Sequence, residues 1–162
     1  MSGRGSRYRV SIRQDFRPAL LSGKRLKELV LAALELLPAH GANLRIRISG
    51  DAAIARLNRE FFGKDRPTNV ISFPEEDDLS KTGEMSGDII VSAPTCLAQT
   101  ENWKDSSEER VFFFILHGML HLAGYDHTRG AAQERLMRRK ELGLFERIIC
   151  KRENSNNNKL KP

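Results

Sequence analysis

Residues 106–127 constrain this chain more than any other stretch. Val111-Phe112-Phe113-Phe114-Ile115-Leu116 is apolar on every side of a helix, and the same helix continues into His117 and His121. A helix that is apolar all round has to lie at the centre of a fold, so these two histidines sit on a buried, rigid support. At i and i+4 their imidazoles leave one face and can reach a single ion. Gly124 can take the left-handed conformation that ends a helix, which turns Tyr125-Asp126 back and brings His127 toward the same point. Three neutral imidazoles with an open fourth position are the arrangement of a catalytic zinc site rather than a structural one. The competing reading is a packed or solvated cluster of histidines.

The rest of the chain reads as the scaffold for that helix. Its 162 residues suit a single domain over 1–150, followed by a polar, Asn-rich tail over 151–162 that is expected to be disordered. The apolar set Leu26, Leu29, Val30, Ala33, Leu37 predicts an amphipathic helix from Ser22 to the stop at Pro38. Period-two alternation predicts strands at 7–12 and 44–48, and a second helix covers 51–62. Val70 to Phe73 is a short strand before Pro74, residues 75–87 form a long acidic loop, and Asp88 to Val91 is an apolar strand buried on both faces. Pro94 can open a helix. Ser106 with Glu109 makes a capping box that starts the central helix, and one more helix runs through Gln133 to Phe145.

Charge and composition narrow the partners. No apolar run approaches the ~20 residues of a membrane span, and Met1 to Arg7 lacks the apolar centre of a signal peptide, so a cytoplasmic protein without a membrane partner is expected. Cys96 and Cys150 have no CxxC spacing and are expected to be reduced. The net charge of +6 is concentrated in residues 1–27 and in Arg129 to Arg152. Basic regions attract a polyanion such as nucleic acid, although they can equally be solvated surface.

The metal chemistry can be read further. His117 to His127 spells H-x-x-x-H-x-x-G-x-x-H, the spacing of metzincin proteases, in which the residue after the first His is the Glu that acts as base. Here it is Gly118. Loss of a general base costs ~10²–10⁴-fold, which demotes a zincin-like metallopeptidase to an alternative. A three-His zinc polarises a phosphoryl oxygen as readily as a carbonyl, and RNA then fits the basic flanks. A non-catalytic ribosome-assembly factor with a bound metal is a third possibility; the lack of a fourth Cys or His beside the triad argues against it.

Two blocks carry a resemblance. His117-Gly118-Met119-Leu120-His121-Leu122-Ala123-Gly124-Tyr125-Asp126-His127 resembles the HGxLHLxGYDH signature of the YbeY-type bacterial endoribonucleases. Leu57-Asn58, Asp65, Pro67-Thr68-Asn69-Val70-Ile71-Ser72-Phe73-Pro74 and Gly87-Asp88-Ile89 are similar to that family's second pattern. The resemblance implies an α/β (α+β) fold, with a small mixed sheet of about four strands, about five helices and a zincin-like helix bearing the triad. It implies a zinc-dependent endoribonuclease acting on single-stranded RNA in ribosomal RNA maturation, at the 3′ end of the small-subunit RNA, and in ribosome quality control, with the ribosome or its assembly proteins as partners. One departure stands out: the family places an Arg where this chain has Phe62. Arg59, one helical turn earlier, or Lys64 and Arg66 just after, are the candidate replacements, against a solvated helix charge at Arg59. Asp126 could orient a ligand imidazole or cap the turn after Gly124.

Overall fold

The computed structural model describes residues 7–16, 21–75 and 79–159. Met1 to Ser6 and the acidic run Glu76-Asp77-Asp78 lie outside the described residues. Four strands form one mixed sheet: β1 (Tyr8–Gln14), β2 (Gly41–Ser49), β3 (Val70–Pro74) and β4 (Glu84–Ser92), in the order β1-β2-β4-β3. β1 and β2 are parallel, β2 and β4 are parallel, and β3 runs antiparallel to β4. Six helical elements surround it among the described residues: α1 (Gly23–Leu34), α2 (Asp51–Phe62), the single turn α3 (Leu79–Thr82), α4 (Ala93–Gln99), α5 (Ser107–Leu122) and α6 (Ala131–Lys159).

The two faces of the sheet are covered unequally. Leu44, Ile46 and Ile48 of β2, each under 3% exposed, point into a large core shared with α1, α5 and α6. On the other face α2 closes a small core of Ile54, Ile71 and Ile90. Arg45 emerges on that side between Asp88, its register partner on β4, and Glu75, bonding Asp88 at 2.9 and 2.7 Å and Glu75 at 2.6 Å.

Local chemistry starts and stops the helices. Ser22 caps α1, accepting from the Arg25 amide. The capping box at α5 forms in full, with Ser106 Oγ accepting from the Glu109 amide and Glu109 Oε2 accepting from the Ser106 amide. α5 lies beneath β3 and β4 and also meets α1, α4 and α6. It crosses the sheet at Gly118, where a Cβ would lie 2.9 Å from Ile89 and 3.3 Å from Val70.

Three expectations need correction. The long loop over 75–87 is shorter: α3 occupies Leu79–Thr82 and β4 begins at Glu84. Ser86 and Gly87 look like loop residues but are recruited by parallel pairing with Asn43 and Leu44. Gly87 is needed there, since a Cβ would approach the Phe73 carbonyl oxygen to 2.4 Å. The first helix ends at Leu34, before Pro38, although Leu37 is still buried. Of the tail expected to be disordered over 151–162, Lys151 to Lys159 instead continue α6, and 160–162 lie outside the described residues. Packing of Leu144, Phe145, Ile148 and Ile149 anchors the middle of α6, and extending an existing helix costs far less than nucleating one.

Candidate metal centre and cleft

The end of α5 builds the site. Gly124 takes φ +93, its amide donates to the His121 carbonyl at 3.0 Å, and the Tyr125 amide donates to the Leu120 carbonyl at 3.0 Å. This double closure is a Schellman motif, and it turns the chain so that His127 meets His117 and His121. Their ring centroids lie 4.8–5.4 Å apart, and one donor nitrogen from each comes within 4.8 Å of the others. His117 and His121 are half-buried, whereas His127 is exposed and leaves one side open.

The triad fits a cation. His117 Nε2 and His121 Nε2 are 3.1 Å apart, so two basic nitrogens share either a proton or a positive ion. A proton serves two rings; His127 offers a third donor to the same point. His117 Nδ1 lies 2.7 Å from Glu141 Oε1. A carboxylate accepting at Nδ1 places the ring proton there and leaves the Nε2 lone pair facing the other histidines. Burial first, and then the neighbouring His117 and His127, hold His121 down to about 4, so its imidazole is neutral at neutral pH and its lone pair is available to a cation.

The open side faces a cleft of about 800 Å³. Its far wall is the end of α2 with the loop after it. Gly63 ends α2 at φ +68, and buried Asn58 donates from Nδ2 to the Arg66 carbonyl at 2.9 Å, which fixes the loop carrying Lys64. Asn69 is tied to α4 through Gln99 at 2.9 Å. Among the described residues, Lys64 and Arg129 are the cations lining the cleft and Asp126 its one acidic lining residue. Arg13 and Arg25, from the N-terminal basic region, pair with Asp15 and Glu109 and do not line it.

The other candidates are placed as follows. Arg59 is exposed, lies 3.5 Å from Asp65, and is not part of the cleft lining. Phe62 does line it, 53% exposed and stacked on Phe73 at 6.4 Å. Asp126 Oδ1 accepts from the Thr128 amide and hydroxyl at 2.8 and 2.6 Å, and Oδ2 from Arg129 at 3.2 Å. These bonds, led by the Thr128 hydroxyl, keep its carboxyl below the ordinary range. Asp126 therefore caps the turn and holds Arg129, while the ligand imidazole is oriented by Glu141. Sequence reasoning missed Glu141. The signal was available: Met137, Glu141, Leu144, Phe145 and Ile148 form one buried stripe, and a carboxylate on such a stripe requires a partner.

The chain is similar to known proteins over most of its length. The family model described as endoribonuclease YbeY matches residues 13–149. A Geobacter sulfurreducens protein named endoribonuclease YbeY is 39% identical over 139 residues, covering 84% of this chain and 91% of its own. One of the same name from Chloroflexus aggregans is 41% identical over 124 residues, covering 73% and 80%. The solution structure of a Thermotoga maritima protein shares the fold with a TM-score of 0.62 at 24% identity, over 90% of this chain and 93% of that one.

Proposed function

The chain belongs to the endoribonuclease YbeY family, and on that premise we propose that it is a metal-dependent hydrolase cutting single-stranded RNA at the His117, His121 and His127 centre. The observation that carries this reading is the convergence of the three imidazoles on the floor of an open cleft whose lining cations are Lys64 and Arg129. The neutral imidazole donors suit zinc. A cation held there supplies positive charge where the phosphodiester oxygens gain negative charge in the transition state.

The chain's own residues do the rest. Glu141 keeps the His117 ring in the tautomer that faces its neighbours. Lys64 and Arg129 bind backbone phosphates on either side of the centre, taking the place expected of Arg59, which lies outside the cleft lining. Phe62, where the family's Arg would stand, offers an exposed ring on which a base can stack. Asp126 holds Arg129 in position and has no direct part in the reaction. Family membership supports ribosomal RNA as the substrate, with processing of the small-subunit 3′ end, the ribosome and its assembly proteins as partners, and the cytoplasm as the location. Among the described residues no helix is long and apolar enough to cross a membrane.

The peptidase alternative loses ground for a structural reason. Gly118 faces Ile89 and Val70 with no room for a carboxylate, and Glu141 is committed to the far nitrogen of His117. The test is to offer the metal-loaded protein single-stranded RNA and an unstructured protein in parallel. RNA should be cut, the protein left intact, and cutting abolished by His121→Ala. Intact RNA with wild-type, metal-loaded protein would overturn the reading.

A further inference from the structure

His117 and His127 line a second recess as well as the cleft. It is about 350 Å³, lies on the α6 side of the triad, and is walled by Trp103, Phe113, Met137 and Leu142. His117 and His127 are thus shared by two depressions, so a strand bound at the triad passes beside both.

The second depression is built to receive a flat apolar group. Trp103 and Phe113 are both half-buried and meet edge to face at 5.0 Å and 73°. Phe113 stands at 90° to Phe145, 5.3 Å away, and Trp103 also leans on Phe145 at 5.9 Å. The recess-facing rings are therefore held from behind and lose little freedom when something packs on them. Met137 is buried beneath, and Leu142, 40% exposed, is one of the few large apolar side chains left open to solvent among the described residues. Its polar lining is His117, His127 and Glu141, the last already bonded to His117, together with Glu134 and Arg138, both exposed and one helical turn apart on α6. A recess with an aromatic and aliphatic wall and the exposed Arg138 guanidinium in its lining, beside the triad, matches a nucleotide: the base packs on the apolar wall and the phosphate meets the cation.

We infer that this recess is a base-binding subsite for the nucleotide adjoining the cleaved phosphodiester, with the base packed on Trp103 and Leu142 and Arg138 on its phosphate. The inference rests on the nuclease reading above and extends it from one wall of the site to the other: Phe62 contacts a base on the cleft side, and Trp103 contacts one across the triad.

Trp103 is the single tryptophan of the chain, so its fluorescence reports the subsite directly. Adenosine 5′-monophosphate, which has no internucleotide bond to cut, is titrated into the metal-loaded full chain, with ribose 5-phosphate as the probe lacking a base. Saturable quenching by the nucleotide and none by the sugar phosphate is expected. Leu142→Gln and Arg138→Gln, both at exposed positions, should each weaken binding, Leu142→Gln by roughly tenfold as for loss of a stacked base, with unchanged melting temperature. Absence of quenching, equal quenching by ribose 5-phosphate, or wild-type affinity in Leu142→Gln overturns the subsite. Parallel incubation with a single-stranded oligoribonucleotide separates the two readings. Cutting without any Trp103 response removes the subsite and leaves the nuclease. A Trp103 response without cutting keeps the base site and removes the nuclease.

Discussion

The two walls of the cleft are made differently. The triad wall is the end of α5, whose residues Val111, Phe112, Ile115, Leu116, Met119 and Leu120 are fully buried. The opposite wall is the end of α2, which rests on the small core of Ile54, Ile71 and Ile90 and leaves Phe61 and Phe62 more than half exposed. His117 and His121 stand on the firmly packed element, whereas Phe62 and Lys64 stand on or just after the less buried one. The contrast is the division between chemistry and grip.

The largest expected effect breaks the rigid wall. Leu116→Ala should cost about 2–5 kcal/mol, measured by urea unfolding, while Leu57→Ala on α2, only partly buried, should cost clearly less. Equal losses would dissolve the distinction. Next is Glu141→Gln, which keeps the shape but exchanges the carboxylate for an amide. Metal affinity in competition with a chelator should fall by ~10–100-fold, with little change in fold. Unaltered affinity would show that His117 needs no orienting partner.

A smaller effect follows from His121. Its folded value, about 4, lies below the 6.5 of an ordinary imidazole, so between those values the unfolded chain takes up a proton that the folded chain refuses. Stability of the metal-stripped protein should therefore fall as pH drops from about 6.5 to about 4 and level off below. The fall should be shallower in His121→Ala, as urea midpoints across that range would show. The smallest change sharpens the yielding wall. Lys64→Ala should raise KM for RNA a few-fold, leave kcat near wild type and flatten the salt dependence by about one phosphate contact, whereas Arg59→Ala should do less on all three. The reverse order would return Arg59 to the site.

Much of this was legible beforehand, for identifiable reasons. The capping box at Ser106, the positive-φ turn at Gly124 and the i,i+4 histidines are local: each depends on neighbours within a few residues, and each formed as read. The edges of β4 and the length of α6 were not legible, because Ser86 and Gly87 become strand only by pairing with β2, and Lys151 to Lys159 remain helical only as a continuation of a packed segment. Glu141 lies between the two kinds. Its place on an apolar stripe is written in the sequence, but its partner, 24 residues away, is not.

The sequence alone determined the convergence of His117, His121 and His127, because a helix face and a left-handed glycine are short-range geometry. Only the tertiary structure decided why Gly118 cannot be an acid, which carboxylate orients His117, that Lys64 rather than Arg59 faces the cleft, and that the triad opens on two sides. Each of these depends on the docking of one element against another: α5 on the sheet, α6 on α5, and α2 across β3 and β4. Side-chain contacts across such junctions follow from how whole elements fill space, which no local pattern encodes.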